Sequence, residues 1–354
     1  MRHAKTLLGL IFSFVFLWLA LRNVDVKQLP KLFGQARLIF LPMIAISMTF
    51  EHLWRAWRWK ILLRARRVPF YNLYAGIVLG YLFNNLLPAR AGEFIRSLYL
   101  GRKKLARSSE AFGTVVLERF IDGVVIIAIL ACLPTWFTIS PLLRKAIFSA
   151  VFFYAVILVC ILVLQFQRVL IDVPLTFMLK ICSESFRTRV LLIEDSFISG
   201  FSLVRTPGPL MIALILSGVA WSFSVLTTCM HFWMWSLPLG SQLGFENVLL
   251  LMAVLSIGSM IPSSPGMIGI FQYCCVIVLA EMLGINREMA VVFALATHLV
   301  GYLYVLIVGI VIMMVENVSF RELSTSAEAA EKAETAEALD LSEIPASPAD
   351  NDSQ

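Results

Sequence analysis

Three short clusters of ionisable side chains interrupt an otherwise apolar sequence, and their residue types suit phosphate recognition. The first is FEHLWRAWRWKILLRARR, residues 50–67. Glu51 and Arg55 stand four apart with the acid first, the favoured order for an ion pair on one helix face. Arg55 and Arg58 are candidate phosphate ligands, because a guanidinium is a permanent cation whose forked donors match phosphate oxygens. Lys60, Arg64, Arg66 and Arg67 fit a helix end anchored at lipid headgroups, with Trp54, Trp57 and Trp59 as an aromatic belt. The second is NNLLPARAGEFIR, residues 84–96. Asn84 and Asn85 offer donors and acceptors, Pro88 stops a helix, and Gly92 permits close backbone approach. Glu93 lies three residues from both Arg90 and Arg96 and can neutralise one of them. One positive charge is left over, the sign a phosphate requires.

The third cluster is ERFID, residues 118–122. Glu118 and Asp122 share a helix face, and Arg119 can pair with Asp122. Its acid surplus matches the arginine surplus of the second cluster, so the two segments are expected to form one network. Two readings stand for it: a phosphate site that opens and closes, or an ion-pair lock that only stabilises. No metal or cofactor is expected. The six cysteines show no CxxC or Cys/His spacing, and no nucleotide-binding loop or His-Glu-x-x-His pattern is present. His231 and His298 are lone histidines in apolar runs and are expected to be satisfied core residues.

These charges must be positioned by membrane helices. The 354-residue chain is 59% hydrophobic and 15% charged, with mean hydropathy +0.85; soluble domains average about 25% charged. The expected fold is all-α, a polytopic membrane protein of about six to eight spans plus broken or re-entrant segments. Apolar runs fall at 5–22, 38–58, 72–88, 111–133, 146–165, 209–235, 247–262, 266–283 and 290–315. The run 72–88 is short and ends at Asn-Asn-x-x-Pro. The pair 247–262 and 266–283 meets at IPSSPGMIG, which contains Pro262, Pro265, Gly266 and Gly269. Irregular backbone at that depth is tolerated where it is buried in protein or lines a wet cavity. Paired interruptions in the two halves of a chain point to a transport site. Gly76 and Gly80 form a Gly-x-x-x-Gly pair suited to close helix contact, within or between subunits.

The net charge of +6 fits lipid-facing basic loops and needs no nucleic-acid partner. With the N-terminus inside and 72–88 re-entrant, the inside segments 55–67, 90–107 and 166–208 carry 6, 6 and 5 basic residues. The outside segments 22–37, 134–145, 236–246 and 284–289 carry 4, 2, 0 and 1. This bias follows the positive-inside rule and places both termini in the cytoplasm. Within 172–208, Phe186, Val190, Ile193, Phe197 and Phe201 recur at helical spacing, as in an interfacial helix or one packed on the bundle. Residues 1–320 are expected to form the membrane domain. The tail 321–354, acidic and free of aromatics, is expected to be disordered.

At these motifs the sequence resembles the transmembrane-region family of the lysylphosphatidylglycerol synthetases, flippase-like UPF0104-type proteins. RAWRW, residues 55–59, resembles its Arg-x-x-Arg-Trp. NNLLPARAGEFIR carries its Asn-x-x-x-Pro-x-Arg-x-Gly-Glu-x-x-Arg pattern on Asn84, Pro88, Arg90, Gly92, Glu93 and Arg96. ERFID carries Glu-Arg-x-x-Asp on Glu118, Arg119 and Asp122. PGMIGIFQ resembles Pro-Gly-Gly-x-Gly-x-x-Glu on Pro265, Gly266, Gly269 and Gln272, with Met267 replacing a glycine and Gln272 a glutamate. The resemblance implies a bacterial inner-membrane protein that moves a lipid or lipid-linked sugar between leaflets, and no enzyme. Its partners would be anionic phospholipids or polyprenyl and glycolipids. Other readings are a scaffold for a lipid-modifying glycosyltransferase, and a membrane-embedded transferase with Glu118 or Asp122 as general base.

Overall fold

A computed structural model describes residues 14–22, 24–64, 68–87, 91–132, 206–237, 245–259 and 265–317, with a few isolated positions between 149 and 203. The expected span 146–165, most of the amphipathic stretch 172–208, the tail 321–354, and Pro88, Arg90 and Pro262 lie outside these residues.

The described secondary structure is helical throughout. Residues 14–21 form α1, and Leu29–Phe33 form the short α2. The clusters sit on α3 (Phe40–Leu62), α4 (Phe70–Leu86), α5 (Gly92–Arg102) and α6 (Ser108–Cys132). The second half comprises α7 (Pro207–Met234), α8 (Phe245–Gly258), α9 (Ile270–Val276, continued by wider π-type turns through Ile277–Met282) and α10 (Arg287–Glu316).

Local chemistry sets these limits. Pro69 precedes α4 in an extended conformation, and the backbone is extended again at Leu87, just before Pro88. Pro207 opens α7 at a position where its missing N–H costs nothing. Asn286 caps α10 by accepting from the Met289 N–H at 3.0 Å, and Asn317 ends it in the left-handed conformation.

Among the described residues α7 and α10 are long and apolar enough to cross a bilayer. Helices α3 and α6 have similar length but carry the charge clusters. The sequence boundaries agree with these helices to within a few residues, with two additions: the short α2 within 22–37, and a helix within 90–107. The basic run 90–107, expected as a loop, contains α5, whose Gly92, Ile95, Arg96, Ser97, Tyr99 and Leu100 are buried.

Helices α3 and α7 run antiparallel: Ser47 meets Thr227, Arg58 meets Ser217, and Arg64 meets Thr206. Helices α4 and α5 form a tight hairpin. Gly80 lies against the backbone of Gly92, where an added β-carbon would collide with the Gly80 carbonyl and with Asn84. The ring of Trp59 on α3 lies over Gly76, where a β-carbon would come 2.9 Å from the indole. The Gly-x-x-x-Gly pair therefore serves contacts within the chain. Two apolar cores result, one around α3 to α6 and one around α7 to α10.

Candidate functional site: a buried arginine and carboxylate network

Each contributing helix presents its charges at helical spacing. On α3, Glu51, Arg55 and Arg58 fall on one stripe; on α5, Glu93 and Arg96; on α6, Glu118 and Asp122. Helix packing brings the stripes together. Arg96 pairs with Glu118 through both guanidinium nitrogens, at 3.1 and 2.5 Å. Arg58 lies 3.0 Å from Glu118 and reaches Asp122 at 2.5 Å. Arg55 bonds Glu51 at 2.9 Å and lies 3.4 Å from Asp122. Arg119 binds Glu118 at 2.8 Å, with Asp122 and Glu93 each at 3.7 Å.

Among the described residues four arginines thus meet four carboxylates, a formally neutral set. Its centre is dry: Arg58 and Glu118 are fully buried. Its rim is Arg119 and Glu93, whose side chains are 36% and 22% exposed. Burying so many charges is tolerable only because each has a partner.

The expected link between the second and third clusters is present, with different partners. Glu93 faces Arg119 rather than Arg96, because Arg96 points to Glu118. Within the described residues the arginine surplus is absorbed by the carboxylates of α3 and α6. Hydrogen-bond capacity is not fully absorbed. The Nε–H groups of Arg58, Arg96 and Arg119 are buried without an acceptor among the described residues.

Supporting residues complete the site. The Arg96 guanidinium lies 4.1 Å over the Trp59 ring, a cation–π contact. Trp59 is fully buried, and its indole N–H donates to Thr114 at 2.9 Å. This corrects the aromatic-belt expectation for Trp59: Gly76 opens a slot for its ring, which becomes a platform for Arg96. Trp57 is exposed, as a belt requires. From α7, Ser217 accepts from Arg58 at 2.8 Å and Trp221 donates to Asp122 at 3.2 Å. Sequence reading missed these two, although four-residue spacing of polar groups on a long apolar helix was the available signal.

The two asparagines diverge in role. The Asn84 side chain accepts from the Gly92 N–H at 3.0 Å and so holds the start of α5. Asn85 lines a cavity, and its carbonyl accepts from the Tyr302 hydroxyl at 3.3 Å. That bond, with Gly266 against the Asn85 carbonyl, brings the two interrupted segments together.

The turn 265–269 is held by side chains. Gln272 accepts from the Gly269 N–H at 2.7 Å and contacts His298 Nδ1 at 2.8 Å. The other His298 nitrogen bonds the Gly266 carbonyl at 2.8 Å, so His298 is satisfied as expected. Here Gln272 acts as a neutral clasp, a role that needs no carboxylate. Gly266 and Gly269 adopt φ of 67° and 92°, and Met267 adopts 59°, in the left-handed region that glycine favours. His231 departs from expectation: its buried Nδ1 has no partner among the described residues.

The comparisons agree with this architecture. A UPF0104 membrane protein of Methanocaldococcus jannaschii is 21% identical over 328 residues, covering 88% of this chain and 95% of the relative. Another, of Pyrococcus horikoshii, is 23% identical over 320 residues, covering 85% and 93%. No solved structure matches the chain. The sequence profile of the lysylphosphatidylglycerol synthase TM region matches residues 6–309, and the chain belongs to that membrane-protein family.

Proposed function

We propose that this protein moves an anionic, phosphate-bearing lipid between membrane leaflets, and that the arginine network receives the phosphate. The observation that carries the reading is a network, buried between helices of a membrane protein and charge-neutral among the described residues, in which three guanidinium Nε–H donors lack acceptors among those residues. A phosphate brings strong acceptor oxygens suited to such donors. A loose link lies at the partly exposed rim, where Arg119 and Glu93 are 3.7 Å apart. A headgroup arriving there displaces Glu93 first, engages Arg119, and then competes with Glu118 for Arg96. Arg55, Arg58 and Arg90 complete the binding set, and Glu118 and Asp122 re-pair with the arginines on release. The interrupted segments after Asn85 and before Ile270 form the polar path, while acyl chains stay in lipid. No bond is made or broken. The basic runs 55–67 and 90–107 face the cytoplasm of an inner membrane.

The test is leaflet-specific labelling of an anionic fluorescent lipid in proteoliposomes. Transport by the wild type and its loss in the combined Arg90→Ala and Glu93→Ala variant support the reading. Transport unaffected by that pair of changes sinks it. The complete pairing of the network favours a second reading, a scaffold held by an ion-pair lock. It predicts that only variants that unfold the protein affect function.

A further inference from the structure

Beside the network, next to the interrupted segments of the proposed polar path on which this inference rests, lies a cavity of about 260 Å³. It is walled by α3, α4 and α7 to α10. Tyr81 is on its wall, and the Tyr81 ring packs edge-on against His52, next to Glu51 in sequence. The lining has a definite chemistry. Leu251, Leu255, Phe271, Phe293 and Val305 are apolar, and the polar groups are hydroxyls, an amide and imidazoles with no formal charge.

Two of those polar groups have unused capacity. His231 is 3% exposed and its Nδ1 has no partner among the described residues; the same holds for the buried hydroxyl oxygen of Thr297. Unsatisfied groups of this kind cost roughly 1–3 kcal/mol each when left without water or a ligand. Their residues come from different helices, α7 and α10, and both line the same space, although the unpaired atoms themselves are almost wholly covered.

A bare anion does not suit this cavity, because no cation lines it among the described residues and burying an unpaired charge is far costlier than burying a hydroxyl. Aromatic faces with neutral donors and acceptors suit a ring or chain bearing hydroxyls. The volume has room for about eight or nine waters at about 30 Å³ each, or one such hydroxylated group. The geometry points to a binding site for an uncharged, hydroxyl-bearing group, a sugar or polyol, distinct from the arginine network. The group can be carried on a lipid or be free.

The test uses the full chain in phosphatidylcholine nanodiscs. Native mass spectrometry compares retention of phosphatidylinositol with that of phosphatidic acid of the same acyl chains, and thermal melting is measured with soluble myo-inositol. The variants are His231→Leu and, separately, Thr297→Val. The wild type is expected to retain phosphatidylinositol about tenfold better than phosphatidic acid, the effect of one or two neutral hydrogen bonds. Each variant is expected to lose most of that preference while melting no lower than the wild type, since each removes an unsatisfied buried polar atom. Stabilisation by free myo-inositol that both variants abolish also supports the site and assigns it to a soluble polyol. Equal retention of both lipids together with no effect of myo-inositol overturns the proposal, as a cavity filled by water alone would give. So does a preference that survives both variants. Arg96→Gln with Glu118→Gln serves as a separate arm. It lowers retention of both lipids if the phosphate reading holds, and it leaves their ratio to report on the cavity.

Discussion

Glu118→Gln is the sharpest perturbation of the network. Glu118 is fully buried and receives Arg96 at 3.1 and 2.5 Å, Arg58 at 3.0 Å and Arg119 at 2.8 Å. Glutamine keeps the shape but removes the charge, leaving four arginines against three carboxylates. Removing one partner of a buried ion pair costs about 3–5 kcal/mol, because the remaining charge is stranded. The size is consistent with roughly 4 kcal/mol for two charges 4 Å apart at an effective dielectric constant of 20. Arg96→Gln should cost a similar amount for the opposite reason. The double variant restores neutrality, with three arginines against three carboxylates, so its cost should fall short of the two single costs added by at least about 1.5 kcal/mol. The assay is reversible unfolding in mixed micelles, followed by tryptophan fluorescence. A cost for Glu118→Gln under about 1 kcal/mol, or a double variant whose cost equals both singles added, refutes the buried network.

Other substitutions separate charge from geometry. Arg58→Lys keeps the charge but loses the fork that reaches Glu118, Asp122 and Ser217 together; it should cost about 2–3 kcal/mol in the same unfolding assay. Gly92→Ala puts a methyl into the Gly80 carbonyl and Asn84 and should cost at least about 1–3 kcal/mol. Gly218→Ala, with nothing within 4 Å of the new carbon, should instead stabilise α7 by about 0.5–1 kcal/mol in parallel melts. His298→Ala breaks the contacts to Gln272 and the Gly266 carbonyl; it should cost about 2 kcal/mol and speed hydrogen exchange at the start of α9.

Much of the architecture was legible because apolar run length is a strong signal and lipid permits few backbone solutions. The charged stripes were equally legible, since Glu51 with Arg55 and Glu118 with Asp122 share helix faces by spacing alone. Partner choice was not legible. Arg96 turns from Glu93 to Glu118 because Gly80 and Gly92 let α5 sink against α4, and that distance is invisible in sequence. Trp59 read as a belt residue because a tryptophan among arginines has that pattern at any helix end. Only the empty space over Gly76 takes it inward. Ser217 and Trp221 were hidden because hydroxyls and indoles are common on membrane helices, and their role depends on a neighbour 159 residues away, in the case of Arg58 and Ser217.

Phosphate binding by the arginine network and a purely structural lock predict opposite outcomes for one variant. The measurement that separates them most directly is leaflet exchange of an anionic fluorescent lipid in proteoliposomes carrying the charge-balanced Arg96→Gln and Glu118→Gln double variant. Restored neutrality recovers part of the stability that each single change costs, and comparing only folded protein separates lost function from lost stability. Exchange is expected to fall to the protein-free level in double-variant protein that melts below the wild type yet stays folded at the assay temperature by tryptophan fluorescence. Exchange at the wild-type rate in a folded double variant contradicts phosphate binding and leaves the network as a structural lock.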